Sequence, residues 1–240
     1  MKISIITISY NVKDKIEKTI TSVINQTYSN IEYIIVDGNS KDGTIDIINK
    51  YRNNINIIIS EDDYGIYDAF NKGIKNATGD LIAFLNAGDY YETDYCNFVN
   101  EYFPQSGNFL STNVSLYNKK GDCIILYPSF PNKKIFSPPF LHPSLVVRRN
   151  LFLKLGNFNL KFKTFSDFDW MLKLISSNLS GIYINETKVH FEYDGISSKY
   201  NPKEYIMVLK NNEYKIYQIF FSVIYYSLFH IKIKLLKLIS

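Results

Sequence analysis

Four short apolar, β-branched runs alternate with segments of helical spacing over the first hundred residues, and few folds accommodate that alternation. The runs are Ile3–Ser9, Ile31–Asp37, Ile55–Ser60 and Leu81–Leu85, each of a length suited to a strand buried on both faces. Between them, Ile16, Ile20, Val23 and Ile24 trace one apolar stripe; Ile45, Ile48 and Tyr51 trace a second; Tyr67, Phe70 and Ile74 trace a third. Strand, helix, strand with short links predicts an α/β protein with a doubly wound, mostly parallel sheet and right-handed crossovers. Ligands of such sheets sit beyond the carboxyl ends of the strands. The polar clusters fall there: Thr7–Asn11, Asp37-Gly38-Asn39-Ser40, Glu61-Asp62-Asp63 and Asn86-Ala87-Gly88-Asp89.

The pattern then changes. Phe109–Leu116 and Cys123–Tyr127 flank Asn118-Lys119-Lys120-Gly121-Asp122, which predicts a short antiparallel hairpin. Pro128, Pro131, Pro138, Pro139 and Pro143 mark an irregular stretch, read as a loop over a site. Leu145–Val147 predicts a further strand and Phe168–Ile175 a helix.

Several function classes drop out on composition. A net charge of +4 is not the concentrated basic footprint of a nucleic-acid binder. Cys96 and Cys123 lack metal-ligand spacing, so neither a disulfide framework nor a zinc cluster is expected, and a reducing cytoplasm is the simpler setting. Met1-Lys2 leads straight into a strand rather than a signal peptide. A nicotinamide-dependent oxidoreductase wants Gly-x-Gly-x-x-Gly after the first strand, where this chain has Tyr10-Asn11-Val12-Lys13.

Asp89 follows the buried run Leu81–Leu85 and is expected to project into the crevice beyond it. A carboxylate there suits Mg²⁺ or Mn²⁺; the alternative is a turn residue before Tyr90-Tyr91-Glu92.

The ordered motifs carry a resemblance. Ile3–Asn11, Val36-Asp37-Gly38-Asn39-Ser40-Lys41-Asp42-Gly43-Thr44, Gly65-Ile66-Tyr67-Asp68-Ala69-Phe70-Asn71-Lys72-Gly73, Ala77-Thr78-Gly79-Asp80 and Leu85–Asp89 resemble glycosyltransferase family 2, with its GT-A fold. The wording is similar to the branch that builds bacterial surface polysaccharides of the colanic-acid type. The resemblance spans residues 3 to 198. It implies an inverting transfer of a sugar from a nucleotide-diphosphate donor, a UDP-sugar favoured, to a hydroxyl of a saccharide or lipid-linked saccharide. A catalytically inactive nucleotide-sugar-binding relative is the alternative. Residues 1–105 would form the donor half of the catalytic domain and 106–200 the acceptor half.

The implied roles are specific. Thr7, Ser9 and Tyr10 would line the nucleotide pocket, Asp37 would hydrogen-bond the base or ribose, and Asp62 and Asp63 would reach the donor. Lys72 would approach the diphosphate, and His142 the diphosphate or acceptor. Arg148 and Arg149 offer guanidinium forks for phosphate; on a strand they face opposite ways, so one of them, Arg148, is assigned to the donor. The family's Asp-x-Asp metal motif is reduced here to Asn86, Gly88 and Asp89, with Asn86 assigned to the donor and Asp89 as the remaining carboxylate for Mn²⁺ or Mg²⁺. Ser166-Asp167-Phe168-Asp169-Trp170 resembles the Glu-Asp-x-Asp segment, making Asp167 the general base; Asp169 falls on another helix face. Gly156-Asn157-Phe158-Asn159 resembles its lead-in. His190 reads as structural rather than as a metal ligand.

The last forty residues, 201–240, read as a helical tail. Ile216–Ile231 contains no Lys, Arg, Asp or Glu, and Lys232, Lys234 and Lys237 follow. The stretch is short of the roughly 20 residues that span a bilayer and suits a helix lying in a membrane surface. Packing on the domain, or against a second copy in a homodimer, is the equal alternative. The expected location is the cytoplasm, at the inner face of the plasma membrane if the tail attaches there.

Overall fold

The structure, a computed structural model, describes residues 1–117, 123–128, 140–192 and 201–239. β1 (Ile3–Ser9), β2 (Ile31–Asp37), β3 (Ile57–Ser60) and β4 (Leu81–Asn86) are parallel and lie in the order β3-β2-β1-β4. The third strand starts two residues later than its apolar run. Arg52–Asn54 closes a 3₁₀ turn, and the Asn56 side chain and backbone bond Tyr33 ahead of the ladder proper.

Alternation along β1 accounts for burial on both faces. Ile3 and Ile5 share a core with Ile16, Ile20 and Val23 of α1 (Lys13–Ile24), Ile48 of α2 (Thr44–Lys50) and Val99 of α4 (Tyr95–Tyr102). Ile6 and Ile8 share another with Tyr67, Phe70 and Ile74 of α3 (Ile66–Asn76), Phe152 of α5 (Asn150–Leu155) and Trp170 of α6 (Ser166–Ser176). Each large apolar side chain so buried contributes about 1.5–3 kcal/mol. The three helical stripes of the sequence are these core faces.

The sheet continues beyond β4 through β8 (Val146–Arg148), β6 (Phe109–Tyr117), β9 (Gly181–Glu192) and β5 (Tyr90–Tyr91), giving nine strands among the described residues with β7 (Cys123–Leu126) on β6. β6 and β7 are antiparallel, as the hairpin pattern predicts; the turn at 118–122 and the proline-marked segment 129–139 lie outside the described residues. β8 is antiparallel to both β4 and β6.

Connectivity positions the site. From β1 the chain passes to β2 on one side; from β3 it crosses back to β4 on the other. The exits of β1 and β4 therefore diverge, which opens a crevice at their carboxyl ends. The opposite end is tied shut by Glu32, whose carboxylate accepts from Lys2 Nζ at 2.7 Å, Ser4 Oγ at 2.6 Å and Thr78 N–H at 2.7 Å. Burial alone would raise Glu32, but those hydrogen bonds prevail and hold it at about 2.

The tail is not detached from the domain. α7 (Pro202–Asn211) stacks Tyr205 on Phe168 of α6, and α8 (Ile216–Ile239) stacks Tyr226 on Tyr205, with centroids 5.2 and 4.6 Å apart.

Candidate active site

The strand register lines up one rim: Ser9 lies opposite Asp37, Asp37 opposite Ser60, and Ile8 opposite Asn86. Asp37 is at its centre, but its carboxylate is already engaged. Oδ1 accepts from Ser9 Oγ at 2.9 Å and Ser40 Oγ at 2.5 Å; Oδ2 accepts from Ser40 N–H at 2.9 Å and Ser60 Oγ at 3.0 Å. With 0% exposure, Asp37 braces three loops rather than presenting itself to a base or ribose. The assignment of Asp37 to the donor is corrected accordingly, and Ser9 acts with it as a brace. Thr7 is also sealed in the core, where its Oγ1 accepts from Tyr33 at 3.2 Å. A residue inside the strand cannot line the pocket beyond it.

Tyr10 and Asp63 do reach the rim. Tyr10 is 64% exposed. A Cβ at Gly38 would stand 2.5 Å from Asp63 Oδ2 and 3.2 Å from the Tyr10 ring, so both side chains close over a position that only glycine leaves open. Asp62 is turned to Asn39, whose amide donates at 2.9 Å. Lys72 is committed beneath the same loop: its ammonium donates to Asp62 O at 2.6 Å and pairs with Glu61 at 3.0 Å and Asp68 at 3.6 Å. Its role here is to anchor the loop that carries Asp63.

At the β4 exit, Gly88 takes φ +107, and Asp89 N–H donates back to Asn86 O at 3.0 Å. That turn folds Asp89 inward to 2% exposure. Oδ1 accepts the Glu192 N–H at 3.0 Å. Among the described residues, Asp89 Oδ2 and Asn86 Oδ1 are shielded from solvent and have no hydrogen-bond partner. Burial pushes the Asp89 carboxyl well above its ordinary range. Two partnerless hard oxygens and a carboxylate penalised for its charge are what a bound divalent cation would relieve. The residues fit Mg²⁺ or Mn²⁺, although no cluster of three His, Cys, Asp or Glu occurs among the described residues.

Asp167 opens α6 on the side of the sheet covered by α3. Its Oδ1 accepts from Tyr67 Oη and Phe168 N–H, both at 2.8 Å, and Oδ2 has no partner among the described residues. Burial pushes Tyr67 well above the ordinary phenol range, with the Asp167 charge adding to the shift, so the hydroxyl remains a donor. An oriented carboxylate with one free oxygen has the form of a general base. His142 stacks on Phe84 with centroids 5.0 Å apart, and its Nε2 is shielded and without a partner among the described residues. Burial pushes His142 down, offset only in part by Asp167. Asp169 faces the other way, accepting from Asn211 and Asn212 at 2.8 Å and pairing with Lys173 at 2.7 Å. The two carboxylates separate by helix face as their spacing predicts.

Arg148 is a further correction. It pairs with Leu81, at the amino end of β4, and its guanidinium donates to the carbonyls of Gly107 at 2.7 Å and Gln105 at 2.5 Å. Antiparallel β8 carries it away from the rim. Arg149 is bound there too, to Gly79 O at 2.8 Å. His190 pairs with Glu92 at 2.6 Å and stacks on Tyr90. Sequence reasoning missed Tyr67, whose ring belongs to the apolar stripe while its hydroxyl serves Asp167. It also missed Glu192 and Lys15, paired at 2.9 Å beside Gly88. Nothing local signals that pair, because β9 brings Glu192 in from a hundred residues away.

The strand order is that of a GT-A-type fold. Residues 4–122 match the sequence profile of glycosyl transferase family 2. The chain is 29% identical over 220 residues to a PGL/p-HBAD biosynthesis glycosyltransferase of Mycobacterium tuberculosis, covering 85% of this chain and 82% of the relative. Over 93 residues it is 46% identical to Escherichia coli WfaP, a UDP-Glc:alpha-D-GlcNAc-diphosphoundecaprenol beta-1,3-glucosyltransferase, covering 38% of this chain and 37% of WfaP. Among solved structures it is similar to Staphylococcus aureus TarS 1-349 in complex with UDP-GlcNAc, with a TM-score of 0.71 and 20% identity. That match covers 88% of this chain and 65% of TarS, less than two thirds of its length.

Proposed function

We propose that this glycosyltransferase moves a sugar, with inversion, from a UDP-sugar to a hydroxyl of a saccharide or lipid-linked saccharide acceptor during bacterial surface-polysaccharide synthesis. The observation that carries the reading is the free Oδ2 of Asp167 at the same end of the sheet as the partnerless oxygens of Asn86 and Asp89. WfaP is named for a UDP-sugar and a diphosphoundecaprenol-linked sugar, and that pairing supports the choice of donor and acceptor class.

Tyr10 and Asp63 contact the nucleoside where they close over Gly38. Asn86 and Asp89 would hold the divalent cation, Mn²⁺ or Mg²⁺, which supplies Lewis-acid neutralisation of the diphosphate, an effect of several kcal/mol. Asp167 Oδ2 takes the proton of the acceptor hydroxyl. The acceptor oxygen bonds to the anomeric carbon as the bond from that carbon to the diphosphate oxygen breaks, and the electron pair leaves with the diphosphate. With one base and no carboxylate nucleophile assigned, displacement is a single step and inverts the centre. Tyr67 keeps the base oriented, and His142, held neutral by burial, offers Nε2 to the donor or acceptor. Residues 1–105 hold the donor, 106–200 complete the acceptor half, and 201–240 form the tail.

The tail attaches the enzyme to the cytoplasmic face of the plasma membrane. One side of α8 meets the domain through Ser222, Val223 and Tyr226, while Tyr217, Phe220, Phe221, Ile224, Tyr225 and Leu228 remain exposed. Among the described residues, no helix is long and apolar enough to cross a membrane. Residues 201–240 contain six lysines and two glutamates, so they hold the whole formal excess of +4. An exposed apolar face with that charge suits an anionic bilayer surface.

A thermal-shift screen of nucleotide sugars with and without Mn²⁺ tests the reading. A ligand of the native state at about 100 times its Kd adds about 2.7 kcal/mol of stability, so a UDP-sugar with Mn²⁺ is expected to raise Tm. No shift with any nucleotide sugar would refute it.

A further inference from the structure

We infer that Glu192, at the end of β9, is the second carboxylate of the cation site, replacing the side chain absent at position 88. The inference rests on the reading that a cation accompanies the donor. A Cβ built on Gly88 would lie 2.7 Å from Glu192 Oε2, so the carboxylate occupies the space where a side chain at 88 would begin. Position 88 cannot readily carry that side chain, since φ +107 strains any L residue. The Glu192 backbone N–H binds Asp89 Oδ1 at 3.0 Å, which fixes the two residues together. Asp89 Oδ2 and Asn86 Oδ1, both sealed from water and without partners among the described residues, supply the independent sign that this corner is built for a ligand.

The corner already holds a cation. Lys15 Nζ sits 2.9 Å from Glu192 Oε2, whose side chain is only 13% exposed. The Tyr117 hydroxyl fixes the turn by donating to Gly88 O at 2.5 Å. An ammonium can neutralise one carboxylate but cannot bridge several oxygens at the short distances of a divalent ion. Lys15 therefore competes with Mg²⁺ or Mn²⁺ for Glu192, and is released toward the donor phosphates when the ion enters. β9 thus returns the charge that the reduced Asn86-Ala87-Gly88-Asp89 motif lacks.

Titration with Mn²⁺, followed by the electron paramagnetic resonance signal of the free ion with and without UDP, decides this. Glu192→Gln is expected to weaken Mn²⁺ binding by about tenfold or more, with an unchanged melting profile as the folding control. Lys15→Met should tighten binding of Mn²⁺ alone by removing its competitor, so the two variants move in opposite directions. Unchanged affinity in both variants would overturn the inference. UDP binding that is tight and indifferent to Mn²⁺ would overturn it while leaving the donor reading intact, whereas failure of UDP to bind under any condition would remove the donor reading itself.

Discussion

Replacing Asp89 with Asn separates a cation ligand from a buried turn residue. Asn preserves the acceptor that Oδ1 offers to the Glu192 N–H, removes the charge, and puts an amide donor in place of Oδ2 beside the unused Asn86 Oδ1. A buried polar group without a partner costs about 1–3 kcal/mol, and more when charged. For a chain of this length, each kcal/mol moves Tm by about 2–4 °C. The cation-free variant should therefore melt roughly 2–12 °C above the cation-free parent at pH 8. The sign follows from linkage. Burial raises the folded-state value of Asp89 above its unfolded value, so its contribution is fully present below the unfolded value and is lost as pH rises through the folded one. The advantage of the variant should thus shrink toward pH 5, while Mn²⁺ should raise the Tm of the parent and not that of the variant. Differential scanning calorimetry at pH 5 and pH 8, with chelator or Mn²⁺, reads all four states. A variant less stable than its parent in chelator at pH 8, or one still stabilised by Mn²⁺, would refute the reasoning.

Other perturbations reach different parts of the molecule. Tyr67→Phe removes a charge-assisted hydrogen bond from Asp167, of a kind worth about 1.5–3 kcal/mol; kcat should fall about ten- to hundredfold with KM little changed, and an equal loss in UDP affinity would contradict that role. Glu32→Gln should cost about 1.5–3 kcal/mol in urea unfolding at pH 7. Because Glu32 is held down at about 2, its contribution should fade as pH falls from its unfolded value through the folded one; a gap that persists at pH 2 would count against it. Arg148→Ala should lower Tm while leaving UDP affinity intact, since its partners are the carbonyls of Gly107 and Gln105; weakened UDP binding would restore the donor role. Phe220→Ser with Leu228→Ser should abolish flotation with anionic vesicles and spare donor binding, whereas loss of a dimer in sedimentation with unaltered flotation would assign that face to a second copy.

Much of the architecture was legible because β1, β2 and β4 announce themselves as apolar runs whose polar ends coincide with the rim. The helical stripes worked for the same reason: Ile16, Ile20 and Val23 repeat at a period that only a helix converts into one face. The positions of the candidate site residues were legible in proportion to how local their geometry is. Asp89 and Asp167 follow directly from where β4 ends and α6 begins. Asp37 misled because an aspartate at a strand end is equally suited to a ligand and to the serines beside it, and only coordinates reveal that Ser9, Ser40 and Ser60 use both oxygens. Arg148 misled because its face depends on the direction of β8, which its three-residue length does not disclose. Glu192 was out of reach for a different reason: its proximity to Gly88 is a product of sheet order alone.

Donor turnover by Asp167→Asn decides whether that carboxylate is the base. UDP release and product mass are measured with Mn²⁺, a panel of UDP-sugars and a diphosphoundecaprenol-linked acceptor, alongside donor affinity by calorimetry. The parent should form product of inverted anomeric configuration, and the variant should bind donor as tightly yet transfer at most about a hundredth as fast, a general base being worth about 10²–10⁴-fold. Undiminished transfer by the variant, or product that retains the donor's configuration, would contradict the account.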